Sequence, residues 1–151
     1  MGVRLGLETI AARTVGWLSR VAGRGGGTTL PGKLLWKVDP SAVDALAARL
    51  PAGVALVSAT NGKTTTTAMA ARILGADHRL AWNRAGANLL SGIASALLSA
   101  DGAEVGLFEV DEAALPEAID RTQPRAVSLA NLFRDQLDRY GELEEIGRAH
   151  V

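Results

Sequence analysis

The stretch "LVSATNGKTTTTAMAARIL", residues 56–74, decides the fold. It begins as an unbroken apolar run, turns at Gly62 and continues as a helix that opens on four threonines, Thr64 to Thr67. Apolar runs without alternation belong to strands covered on both faces. A strand that enters a glycine turn and then a helix aims several unpaired backbone N–H groups, and the positive end of the helix dipole, at one point. Anions collect at such a corner. Threonine loses only about a few tenths of a kcal/mol in helix propensity, which is small beside the interactions of a charged ligand, so hydroxyls at the helix mouth have a use. Lys63 sits at the same positive end, an unfavourable place for a cation unless an anion is near. The bland alternative makes Gly62 an ordinary turn and Lys63 a solvated charge.

Outward from this corner the pattern repeats. Strands are expected at Val54 to Ser58, Leu80 to Trp82, Val105 to Val110 and Ala126 to Ala130, and helices at Thr64 to Leu74, Leu89 to Leu98 and Pro116 to Arg121. Apolar strands joined by helical crossovers give a mostly parallel sheet flanked by helices, an α/β class. Pro40 and Ser41 open a further short helix, and Pro51 to Gly53 stop it. Before it, "GRGGGTTLPGKLL", residues 23–35, reads as a loop, because its glycines and Pro31 disfavour regular structure. That loop is either a flexible connector or a set of unhindered N–H groups able to fold over an anion. Leu7, Ile10, Thr14, Trp17, Leu18 and Val21 recur at helical spacing and are read as a packing helix, with an organellar transit peptide as the alternative.

Composition narrows the classes. The chain has 151 residues, enough for one ordinary domain, and its 16 basic and 16 acidic side chains cancel. No overall field favours nucleic acid or an acidic membrane, so phosphate binding has to come from a local site. With no cysteine, there is no disulfide framework and no thiolate metal site in these residues. The apolar runs fall well short of the roughly 18 residues of a membrane span, so no transmembrane segment is expected.

Three more segments carry chemistry. In "VGLFEVDEAALP", residues 105–116, an apolar strand acquires Glu109, Asp111 and Glu112 at its carboxyl end, the edge where ligands of open α/β sheets bind. Strand alternation puts Glu109 and Asp111 on one face, with Glu112 starting the next turn. They are either an exposed acidic strand end or carboxylates near Mg²⁺, a hard cation that needs oxygen ligands. In "NRAGANLLSGIASALL", residues 83–98, Asn88 is a plausible N-cap for a helix whose Leu89, Ile93 and Leu97 face the core. Arg84 there contacts a phosphate, a substrate carboxylate or solvent. "NLFRDQLDRYGELE", residues 131–144, follows the last strand. His78 lies in a short polar turn and is read as exposed.

In P-loop enzymes the lysine reaches the outer phosphates and the next hydroxyl binds Mg²⁺, which assigns Lys63 and Thr64. The strict G-x-x-x-x-G-K-S/T spacing is not met, because Val57 stands where the first glycine belongs. The shorter Thr-Asn-Gly-Lys-Thr-Thr after a strand resembles the nucleotide loop of the Mur ligase superfamily, with Ala59 in place of its usual first glycine. Residues 131–144 resemble the segment Asn-x-x-x-Asp-His-Leu-Asp-Arg of that superfamily. Asn131, Asp135, Leu137, Asp138 and Arg139 match, and Gln136 replaces a histidine that helps bind a second Mg²⁺. Together with "GRGGGTTLPGK" and "FEVDEAALP", these motifs are most similar to the lipid II isoglutaminyl synthase branch of the superfamily, from about Arg20 to Glu144.

That resemblance implies a P-loop NTPase-like central domain that uses ATP and Mg²⁺. Thr60, Asn61, Gly62, Lys63, Thr64 and Thr65 would form the nucleotide loop, Thr64 and Glu109 the metal ligands, and Lys63 and Glu109 the catalytic pair. The implied activity is a carbon–nitrogen ligation. The α-carboxyl of D-glutamate in lipid II is phosphorylated by ATP, and ammonia from a GatD-type glutaminase subunit then displaces phosphate to give D-isoglutamine. Its implied place is the cytoplasm, at the inner face of the membrane. Another amide ligase of the superfamily, of the folylpolyglutamate synthetase kind, is the alternative, as is a nucleotide-binding module without catalysis.

The resemblance also implies a longer protein, with a Cys-rich zinc ribbon and a glutaminase-binding region beyond these residues. The expected organisation is therefore N-terminal helices and a Gly-rich loop over 1–50, a truncated part of the ATP-binding domain over 51–144, and a tail, "EIGRAHV", over 145–151. The tail reads as a translated sequencing adapter, so His150 is given no role. Such a piece alone is expected to be inactive, and poorly soluble or partly unfolded, because its parallel sheet lacks neighbours.

Overall fold

The computed structural model describes residues 30–83 and 87–131. The expectations for the first helix, for residues 23–29, for Arg84, for Asp135, Gln136, Leu137, Asp138 and Arg139, and for the tail with His150 lie outside the described residues. The described elements run α1 (Leu30–Val38), α2 (Ser41–Ala47), β1 (Gly53–Ser58), α3 (Lys63–Leu74), β2 (Leu80–Trp82), α4 (Leu90–Ser99), β3 (Val105–Glu109), a 3-10 turn (Glu112–Ala114), α5 (Leu115–Thr122) and β4 (Ala126–Leu129). All the pairings are parallel and the strand order is β2-β3-β1-β4. Parallel strands end on the same edge, so the loops after β1, β2, β3 and β4 gather at one rim of the sheet.

The sheet has helices on both sides. On one side Leu35 of α1, Val43 of α2, Ile93 of α4 and Leu115 of α5 close over Leu56 and Phe108. On the other, Ala71 of α3 packs on Val57 and Leu107. The continuous apolar character of β1 and β3 follows from this double cover. At the edge of the sheet all four residues of β4 are exposed, Val127 and Leu129 included. Among the described residues β4 pairs only with β1, which leaves its outer edge and both faces thinly covered.

Residues 30–35, expected as loop, are found in α1. Pro31 is tolerated in the first turn, where its missing N–H has no helical acceptor to lose. Gly32 is needed for packing rather than for a turn. Its N–H donates to Ser95 Oγ at 2.9 Å, and a Cβ there would lie 1.9 Å from the Ser91 carbonyl oxygen. Two helices approach so closely only where one has no side chain. His78 is in a turn, its side chain 44% exposed and 3.9 Å from Glu104, as the sequence suggested. No helix among the described residues is long and apolar enough to cross a membrane.

Candidate functional site

The rim is built from four loops, and the first is the turn between β1 and α3. Gly62 takes φ 84° and ψ 1°, a left-handed conformation that costs glycine nothing and reverses the chain into the helix. The first helical backbone bond runs from Thr66 N to Gly62 O, so the N–H groups of Lys63, Thr64 and Thr65 have no acceptor within α3. Thr64 and Thr65 are exposed at this mouth, whereas Thr67, one turn on, is fully buried. Ala59 replaces glycine without strain, since Gln123 is the only non-glycine residue with positive φ among those described.

Lys63 bends back over the turn. Its ammonium donates to the Ala59 carbonyl and, at 2.9 Å, to Glu112 Oε2, with Glu112 only 2% exposed. The anion that a cation at the positive helix end demands is thus supplied within the chain, 49 residues away. The solvated-charge reading of Lys63 fails, because the residue is buried. With Glu112 in place, the position of Lys63 does not by itself require an external anion.

β3 brings the acids to the same rim. Glu109 pairs in register with Val57 on β1, and Val110 N donates to Val57 O at 2.9 Å. Glu109 is 3% exposed, yet among the described residues nothing donates a hydrogen bond to its carboxylate and no cation pairs with it. Buried charges are ordinarily paired or bound to a metal. Two hard oxygens with free lone pairs at a strand end form a donor set that suits Mg²⁺. No three His, Cys, Asp or Glu side chains converge among the described residues, so a cation here would complete its shell with hydroxyl, phosphate or water oxygens.

The other two acids do different work. β3 ends at Glu109, so strand alternation does not extend to Asp111. Asp111 caps the 3-10 turn by accepting from Ala113 N at 3.3 Å and also accepts from Asn88 Nδ2 at 3.4 Å. Asn88 is therefore not the cap of α4. The cap position is Leu89, which makes no side-chain cap bond and is exposed instead of core-facing, while Ile93 and Leu97 are buried as expected.

Two asparagines that the sequence reading gave no role shape the rim. Asn83, one residue past β2, is buried, accepts from Glu109 N at 2.8 Å and donates to Glu109 O at 2.7 Å. Its amide prolongs the β2–β3 ladder by one rung and fixes the backbone that carries Glu109. Asn131, just past β4, does the same for the turn: its carbonyl accepts from Thr60 N at 2.8 Å, its Oδ1 from Asn61 N at 2.9 Å, and its Nδ2 donates to Asn61 O at 3.0 Å. The available signal in each case was an Asn directly after an apolar strand.

The N–H groups of Thr60 and Asn61 are consequently engaged with Asn131. Among the described residues, the donors left to face a ligand are those of Gly62 and the first turn of α3, with the Thr64 and Thr65 hydroxyls beside them.

Comparisons with known proteins agree with this architecture. A model of the Mur ligase middle domain matches residues 57–151. The chain is 36% identical over 148 residues to the MurT subunit of lipid II isoglutaminyl synthase (glutamine-hydrolyzing) from Streptococcus pneumoniae, covering 95% of this chain and 32% of that protein. It is 36% identical over 129 residues to the MurT subunit from Staphylococcus aureus, covering 83% of this chain and 29% of that one. A UDP-N-acetylmuramoylalanine–D-glutamate ligase from Anaeromyxobacter dehalogenans is 35% identical over 106 residues, or 69% of this chain and 22% of the ligase. Among solved structures, MurF from Acinetobacter baumannii superposes with a TM-score of 0.63 at 22% identity, covering 80% of this chain and 26% of that one. The chain spans about a third of the length of the curated MurT relatives it matches.

Proposed function

Because the chain belongs to the Mur ligase family, we propose that it is the nucleotide-binding part of an ATP-dependent ligase of peptidoglycan synthesis, of the MurT kind. The reaction proposed is amidation of the D-glutamate α-carboxyl of lipid II to D-isoglutamine, on the cytoplasmic face of the membrane. The γ-phosphoryl group of ATP passes to the carboxylate, ammonia from a GatD-type glutaminase attacks the resulting acyl carbon, and phosphate leaves. The observation that carries this reading is that Glu109, a buried residue on the strand beside the Lys63 turn, has no partner for its carboxylate among the described residues.

Each residue has a task in this scheme. The Gly62 turn and the free N–H groups that follow it bind the phosphates, with the helix dipole adding to the attraction. Lys63 meets the negative charge of the transferring group, and the hydroxyls of Thr64 and Thr65 offer oxygens at the same mouth. Glu109, with Thr64, would hold Mg²⁺, which when bound screens the repulsion between triphosphate and carboxylate. Asn83 fixes the strand end that presents Glu109. The relative that covers 95% of the chain is a MurT subunit, and this favours amidation over addition of D-glutamate, the reaction named for a relative that covers 69%.

The test is reconstitution of the full-length protein with a GatD-type glutaminase, lipid II, glutamine and Mg²⁺-ATP. Mass spectrometry should find the carboxamide in the stem peptide, formed only when ATP and glutamine are both present. ATP-dependent addition of an amino acid in place of ammonia would overturn amidation. Absence of any nucleotide turnover would overturn the ligase reading itself.

A further inference from the structure

We infer that Asn131 is a positioning residue for the nucleotide loop, an inference that rests on the ligase reading above. β1 and β4 are hydrogen-bonded in register up to Ser58 and Leu129, and Ala130 N still donates to Ser58 O at 3.1 Å. Beyond that point a turn has to leave the sheet, and a turn without rungs is free to rotate its peptide planes. Asn131 supplies the missing rungs. Its backbone oxygen takes Thr60 N, and its amide closes on both polar groups of Asn61, accepting from the N–H and donating to the C=O.

An amide that accepts from the N–H and donates to the C=O of one residue holds the two peptide planes on either side of its Cα, which a single bond does not. The residue so fixed immediately precedes Gly62, whose φ of 84° starts the reversal into α3. The peptide between Asn61 and Gly62, held through its carbonyl by Asn131 Nδ2, therefore sets the direction in which the N–H groups of Gly62 and the first helical turn point. The geometry also divides the loop: Thr60 and Asn61 serve the brace, and residues 62–65 serve the ligand. Alanine at position 131 removes both amide bonds and keeps the backbone bond to Thr60, so it isolates the side chain. Aspartate keeps an acceptor for Asn61 N but cannot donate to Asn61 O.

The experiment uses the full-length protein with Asn131→Ala, measured by hydrogen exchange without nucleotide and by calorimetric titration with Mg²⁺-ATP. The two solvent-accessible bonds are worth about tenfold in opening and in affinity together, allowing for replacement by water. The expected result is roughly tenfold faster exchange at Asn61, unchanged exchange in α4, and about tenfold weaker nucleotide binding, while kcat at saturating ATP stays within about twofold of the parent. Unchanged exchange at Asn61 overturns the brace. Faster exchange with unchanged affinity overturns the positioning role, and so does a fall in kcat with affinity intact. Global loss of protection would mean that the side chain is structural, and overturns it too. Failure of the parent protein to bind Mg²⁺-ATP is a different result, and it brings down the ligase reading.

Discussion

Glu112→Gln tests how the loop manages its lysine. The pair it breaks is buried, with the side chains of Lys63 and Glu112 10% and 2% exposed and 2.9 Å between the charged atoms. Removing one member of a buried pair costs about 3–5 kcal/mol when the other is left uncompensated. Here the loss is smaller, because Lys63 keeps the Ala59 carbonyl and glutamine offers a neutral oxygen at the same place. Replacing the carboxylate of an ion pair by an amide oxygen, with the ammonium still donating, loses about 2 kcal/mol. Without nucleotide, amides in the first turns of α3 should therefore exchange roughly thirtyfold faster. With nucleotide the sign reverses. A triphosphate at the mouth of α3 competes with Glu112 for the ammonium, and in the parent it must approach a buried carboxylate of its own sign. The variant should bind Mg²⁺-ATP about tenfold more tightly by calorimetry. A double-mutant cycle with Lys63→Met should give a coupling near 2 kcal/mol in the unliganded protein. A coupling below about 0.5 kcal/mol, or weaker nucleotide binding by Glu112→Gln, refutes the competition argument.

Two further perturbations separate function from packing. Glu109→Gln removes a buried charge that has no protein partner among the described residues, so exchange protection of β3 should stay the same or rise, while the Mg²⁺ dependence of nucleotide binding falls at least tenfold. Loss of protection without a change in metal dependence would show that Glu109 is structural. Gly32→Ala forces a Cβ to within 1.9 Å of the Ser91 carbonyl oxygen, backbone that cannot swing aside. Overpacking of this kind costs about 1–3 kcal/mol, and hydrogen exchange should show it in α1 and α4 with nucleotide affinity unchanged.

How much of this was legible in the sequence depends on whether the deciding force was local. The runs at Leu56 and Leu107 face helices on both sides, and that environment selects continuous apolar residues, so the strands and their parallel sheet could be read directly. The left-handed turn at Gly62 was legible for a similar reason, since few other residues adopt that conformation. Leu30–Val38 is helical against the local propensities of its glycine and proline. There the gain from seating Gly32 against α4 outweighs the roughly 1 kcal/mol that glycine costs in a helix interior. No window of sequence contains that contact, which joins residues 63 positions apart.

The site divides along the same line. That Lys63 and the acids after β3 belong together follows from topology, because parallel strands end at one rim. Which acid meets the lysine does not follow. Alternation holds only while the strand continues, and β3 ends at Glu109. Past that residue the chain turns through Asp111, whose capping bond to Ala113 N tightens the turn and brings Glu112 over the lysine. The roles then separate by what each carboxylate already has. Glu112 has a cation, Asp111 has backbone and amide donors, and Glu109 alone of the three lacks a partner among the described residues. Three acids that are nearly equivalent as letters are thus distinguished by where their lone pairs go, and the one with unfilled lone pairs is where a cation would be drawn.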